Sequence, residues 1–274
     1  MTRFVLLVTL LLLGFVDMAI AKIKVTTSLY PLYLIARDVG GDYVEVSYLK
    51  SLNVSPHGYE VTYGDTQAIR EADVVFAVGC GIEQPLKSVL VKKKNVVYLC
   101  EKGLTDKRDP HLWLSIIHVK QRVLKLAQVF AQLDPVHSEF YRRRAWSLGK
   151  ELDGILSHYR EKFASSKVAV IDRHGAWGYL IGELSLDYIG SIESVPHREP
   201  TIKDVLRLVS RAKGRKRVVV INDAGHDPSI VNRIAGELNA CTVTLYPLGR
   251  GEEKSYIEFI RFNLGELERC ITIR

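Results

Sequence analysis

Three short segments share one grammar: Ser55-Pro56-His57-Gly58-Tyr59-Glu60, Asp109-Pro110-His111-Leu112-Trp113-Leu114 and Asp172-Arg173-His174-Gly175-Ala176-Trp177. In each, a histidine follows an apolar run and precedes a helical or turn-like stretch. An imidazole nitrogen is a ligand for borderline-soft divalent ions. It binds Zn2+ at ~2.0–2.1 Å, and a tetrahedral site needs four ligands. His57, His111 and His174 are therefore predicted to converge on one metal ion. Asp223, in Asn222-Asp223-Ala224-Gly225-His226, is the first candidate for a fourth ligand. A helix cap or a hydrogen-bond partner to a ligand is an equal reading of Asp223, and water is the other candidate for the fourth place. His226 and the proline-flanked His197 are candidates to line the site. His118, His137 and His158 fall on predicted helices and read as surface residues.

The elements that must position these loops follow from the hydrophobic pattern. Strands are predicted over 22–28, 43–49, 73–78 and 96–99, alternating with helices over 29–39, 62–71 and 83–91, and the loop 50–59 carries His57. Such alternation implies βαβ units and a parallel sheet. The nearly all-apolar run 73–78 suits a strand buried on both faces. Residues 112–133 show helical spacing, and Asp134-Pro135 stops and restarts the chain. The next ~30 residues predict a helix of ~45 Å, long enough to join two lobes. The second half repeats the pattern, with strands over 167–171, 188–191, 217–221 and 241–245 and helices over 175–184, 201–212, 228–238 and 255–267. The fold class is α/β: two pseudo-symmetric βα lobes with mainly parallel sheets, joined by one long helix. The expected divisions are a 22–133 N-terminal lobe, a 134–164 connecting helix and a 165–274 C-terminal lobe. Ligands of open parallel sheets bind beyond the carboxyl ends of the strands. His57 and His111 come from the first lobe and His174 from the second, so the site is expected in the cleft between them.

Residues 1–21 read as a cleaved signal peptide. Arg3 supplies the positive start, residues 4–16 the apolar core and Ala19-Ile20-Ala21 the small-residue cleavage site. That core is shorter than the ~20 residues a membrane span needs. No cysteine follows the cleavage site, which argues against a lipid anchor there. Export places Cys80, Cys100, Cys241 and Cys270 in an oxidising compartment. Cys80 with Cys100 and Cys241 with Cys270 are plausible bridges, and four buried free thiols are the alternative. The chain has a net charge of +7. Its basic clusters, 92–94, 142–144 and 211–217, are short and lack interleaved aromatics, so they read as solvated faces rather than a nucleic-acid surface.

Taken in order and at these distances, several motifs resemble one family: the zinc- and manganese-binding solute receptors of metal-ion ABC importers. They are Thr26-Thr27-Ser28-Leu29-Tyr30-Pro31-Leu32, Pro56-His57-Gly58-Tyr59-Glu60, Ala72-Asp73-Val74-Val75-Phe76-Ala77-Val78-Gly79 with Glu83, Asp109-Pro110-His111-Leu112-Trp113, Arg173-His174-Gly175-Ala176-Trp177-Gly178-Tyr179-Leu180, and the closing helix from Tyr256 to Asn263 with Leu267. The resemblance implies a monomeric extracytoplasmic receptor that binds a divalent ion through His57, His111 and His174 and passes it to a membrane permease. A histidine at the third position implies Zn2+ rather than Mn2+, since harder manganese suits carboxylates. The family's Asp-Pro-Leu-Gly loop reads Tyr246-Pro247-Leu248-Gly249 here, and neutral tyrosine, with its pKa of ~10, is a poor ligand. The long His-rich loop of many zinc receptors is missing from the segment 101–108. Asp172 and Glu199 are candidates to orient the histidine rings.

Two rival readings follow from the same residues. Three histidines with an open fourth position is also the geometry of catalytic zinc, with Asp223 as general base, although no HExxH motif occurs. A metal-binding adhesin or chaperone that meets no permease would need the same fold.

Overall fold

The structure is a computed structural model and describes residues 21–54, 56–105, 108–193 and 200–272. The expected leader, apart from Ala21, lies outside the described residues, as do His197 and Glu199. Two four-stranded parallel sheets form the frame. In the first, β1 (Ile23–Thr27), β2 (Val44–Tyr48), β3 (Val74–Ala77) and β4 (Val96–Tyr98) are ordered β2-β1-β3-β4. In the second, β5 (Val168–Asp172), β6 (Asp187–Ser191), β7 (Arg217–Asp223) and β8 (Cys241–Leu245) are ordered β6-β5-β7-β8. The two orders are the same, which is the predicted pseudo-symmetry.

Sequence composition follows position in the sheet. Inner strands β3 and β5 are buried along their whole length, as the all-apolar runs require. Edge strands β2 (VEVSY) and β8 (CTVTL) alternate instead, because one face of each is wetter. The order in which strands are added reverses between β1 and β3, and again between β5 and β7. Each reversal opens a crevice at the carboxyl ends of the strands.

In the first lobe, α1 (Tyr30–Gly40) follows β1 and α3 (Tyr63–Glu71) follows the His57 loop. Thr62 and Asp65 close a capping box at the start of α3. Residues 50–59, predicted as loop, begin with a short helix, α2 (Lys50–Val54). The helix predicted over 83–91 is a 3₁₀ turn followed by the single turn α4 (Lys87–Leu90).

Two antiparallel helices link the lobes: α5 (Ile116–Leu133) and α6 (Ser138–Phe163). The connector is 26 α-helical residues, or ~39 Å. It is shorter than predicted because Pro135–His137 form a 3₁₀ turn capped by Asp134. One face of α6 is buried at 141, 145, 148, 152, 155, 156 and 163, the three-to-four spacing of an amphipathic helix. Against it pack α5, α1 and the last helix, α10 (Tyr256–Thr272).

The second lobe is completed by α7 (Gly178–Glu183), α8 (Ile202–Ala212) and α9 (Ser229–Leu238). One hydrophobic cluster runs through both lobes, from Val25 and Phe76 through Phe130 and Tyr141 to Trp177, Val219 and Phe259. A smaller cluster lies under α8 and α9 on the outer face of the second sheet. Cys80–Cys100 and Cys241–Cys270 are both disulfides, each with a Cα–Cα separation of 5.7 Å.

Candidate metal centre

Each histidine loop is shaped by local hydrogen bonds that its own sequence supplies. Asp109 accepts from the His111 backbone N–H at 3.0 Å and from His111 Nδ1 at 2.7 Å. This turn anchors the ring through Nδ1 and turns Nε2 toward the cluster. Trp113 lies against the His111 ring and is itself tied across the lobes, its Nε1 donating to the Pro247 carbonyl at 2.8 Å.

His174 is held from the second sheet. Its loop turns at Gly175, whose φ of +86° favours glycine. It wraps around the buried Asp172, which accepts from Gly175 N–H at 3.2 Å, Trp177 N–H at 3.0 Å and the Tyr188 hydroxyl at 2.9 Å. Asp172 thus shapes the backbone of the loop, and Asp223 holds the ring. Asp223 Oδ2 accepts from His174 Nδ1 at 2.6 Å, and Oδ1 accepts from Trp177 Nε1 at 2.8 Å.

The result is a compact nitrogen cluster. His57 Nε2 and His111 Nε2 are 3.0 Å apart. Ligand atoms of His57, His111 and His174 all lie within 4.8 Å of one another. Two nitrogens bound to one tetrahedral zinc stand ~3.3–3.4 Å apart, so only small ring movements separate this arrangement from a loaded one. The two Nε2 atoms share a hydrogen bond, whose place an ion would take. On the His57 side the cluster borders a cleft of ≈ 460 Å³ walled by Tyr59, Cys80, Ile82 and Pro110.

Buried charge accompanies the rings. Burial pushes the Asp172 carboxyl up to about 7, and the neighbouring Asp223 charge adds to this against the Trp177 hydrogen bond. For His174, burial opposes the charged ring. The hydrogen bond and charge of Asp223, with Asp172 and Glu193, outweigh that effect and raise its pKa above the ordinary value.

The predicted site residues therefore divide. His57, His111 and His174 meet, from both lobes. Asp223 does not join them: fully buried, with both oxygens engaged, it stands behind His174 as its orienting partner. Tyr246 packs its ring on Phe262 at 5.5 Å and donates its backbone N–H to Asn263. His226 is exposed, with its ring 5.9 Å from that of His174. His158 is exposed as expected, but His118 and His137 are half-buried and hydrogen-bonded to Ser115 and Asp134. The orienting role of Asp109 was missed, although an aspartate two residues before a histidine is a signal for such a turn.

The sequence model of the periplasmic component A of zinc-uptake complexes matches residues 25–270. The high-affinity zinc uptake system protein ZnuA of Bacillus subtilis is 24% identical, over 92% of this chain and 89% of that protein. The manganese-binding lipoprotein MntA of Halalkalibacterium halodurans is 25% identical, over 88% of this chain and 86% of that one. Among solved structures, the laminin-binding protein of Streptococcus agalactiae superposes with a TM-score of 0.81 at 26% identity, covering 91% of this chain and all of that one.

Proposed function

Because this chain belongs to the family of the periplasmic zinc-uptake component A, the metal-binding receptors of ABC importers, we propose that it captures Zn2+ between its lobes and delivers it to a membrane permease. The observation that carries this reading is the convergence of His57, His111 and His174 from two sheets, with their ligand atoms within 4.8 Å of one another. Three imidazole nitrogens make a set suited to zinc, whereas manganese favours a set richer in oxygen. Among the described residues no carboxylate joins the cluster.

The outer partners support capture. Asp109 and Asp223 direct Nε2 of His111 and His174 toward the cluster and strengthen both nitrogens as donors. A hydrolytic role would need a general base beside a bound water. Asp223, the candidate for that role, has both oxygens committed to His174 and Trp177. Such a receptor works outside the cytoplasm, and no helix among the described residues is long and apolar enough to cross a membrane.

Competitive titration of Zn2+ against Mn2+, with His111→Ala beside the wild type, tests the proposal. One zinc should bind tightly per chain, in preference to manganese, and the substitution should abolish tight binding. Failure of the wild type to bind either ion would overturn the receptor reading.

A further inference from the structure

The three clustered histidines leave a tetrahedral ion one ligand short, and among the described residues no carboxylate joins their cluster. Asp109 is bonded to His111, Asp223 to His174 and Trp177, and the Tyr246 ring packs on Phe262. One further imidazole stands beside the cluster. After β7 the chain makes a tight turn in which the His226 N–H donates to the Asp223 carbonyl at 3.1 Å. Gly225 supplies the left-handed residue that this turn needs, at φ +89°. The Asn222 amide donates to the His226 carbonyl at 3.3 Å and fixes the other end. A single turn therefore sends Asp223 behind His174 and His226 alongside it.

The ring separations show what spacing a shared ion requires. In imidazole the ring centre lies about 1.15 Å behind the ligating nitrogen. Two rings on one tetrahedral zinc therefore have centres ~5.2 Å apart. The separations are 5.0 Å for His57–His111, 5.0 Å for His111–His174 and 6.0 Å for His57–His174. The His226 ring lies 5.9 Å from that of His174 and nearly parallel to it, with 20° between the planes, so it stacks beside His174 and must turn to aim a nitrogen at the shared position. Its side chain is exposed, and rotation toward the cluster costs no buried packing.

We propose that His226 supplies the fourth nitrogen when the ion binds, completing a site with two histidines from each lobe. This rests on the receptor reading above and adds a residue to it. It also accounts for a site that does without a carboxylate in the loop where Tyr246 stands. An all-imidazole sphere of neutral donors selects zinc over manganese more strongly than three imidazoles and a carboxylate would.

X-ray absorption of zinc bound to the purified protein counts the imidazoles directly, and competitive titration gives the affinity. The wild type should show four imidazoles. His226→Ala and His226→Asn should show three, with affinity lower by ~10-fold or more, since even outer partners of a ligand are worth 10- to 100-fold. Three imidazoles on the wild-type ion, or unchanged affinity in both variants, would overturn the role of His226 while leaving the receptor reading intact. A wild type that binds no zinc would overturn both.

Discussion

His174 carries a conflict between proton and metal, because a ring protonated on both nitrogens cannot ligate. Burial disfavours the charged ring, yet Asp223 and its neighbours hold the pKa above the ordinary 6.5. In the metal-free chain this group adds stability that is fully present below the unfolded value and lost as pH rises through the folded one. Zinc affinity runs the other way, falling as pH drops through the same raised value. Asp223→Asn removes the charge and lets His174 return toward its ordinary range. Affinity at neutral pH should fall ~10- to 100-fold, and acid release should begin at lower pH than in the wild type. Zinc competition across about pH 5 to 8 checks both, and an unshifted release profile would show that Asp223 does not control the ring. At this scale the convergence of the three histidines was legible from their repeated loop grammar, although only His174 directly follows a strand, while α2 stands between β2 and His57 and a 3₁₀ turn between β4 and His111. The division of Asp223 from the ligand set was not: an aspartate at a strand end looks the same whether its oxygens meet an ion or a ring N–H.

The start of α5 is capped by a residue from the other lobe. Glu183, at the end of α7, accepts from the Ser115 hydroxyl, the Ile116 N–H at 2.8 Å and the Ile117 N–H at 3.3 Å. Helix N-termini leave four N–H groups without intrahelical partners, and here two of them are served across a sequence gap of 66 to 67 residues. Burial raises the Glu183 pKa, and the hydrogen bonds from α5 resist that rise. Glu183→Ala should strip these donors in a buried place and cost about 1–3 kcal/mol, measured by denaturant unfolding. An unchanged midpoint would mean that Ser115 alone caps the helix. The helix itself was readable from the spacing of Leu114, Ile117, Val123, Leu124, Ala127, Phe130 and Ala131, although Ile117 and Leu124 face solvent and Val119 and Leu126 are buried instead; its cap was not readable, because no local motif reports a partner so distant in sequence. Short α2 was missed for another reason: five residues hold too few turns for a period to emerge.

At the scale of the whole molecule, the lobes predicted as separate units share one core. The Tyr256 hydroxyl donates to the Trp113 carbonyl at 2.8 Å, the Tyr30 hydroxyl to the Glu253 carbonyl at 3.0 Å, and the Tyr256 N–H to Asp38 at 2.8 Å. The repeated strand pattern revealed two sheets, but which helix faces fuse them depends on packing that the hydrophobic period leaves open. Solution scattering of metal-free and zinc-loaded protein should therefore give superimposable curves. A marked expansion without metal would refute the shared core as a restraint on opening. In the proposed uptake role, the fused core would also bear on how import is regulated. A receptor that closes on its cargo tells the permease by its outline whether it is full, but one with locked halves gives no such signal. Empty and loaded copies then compete for the same docking place, so uptake depends on the occupied fraction of the receptor pool as well as on the ion supply. Making more receptor than the available zinc can fill would slow import rather than hasten it.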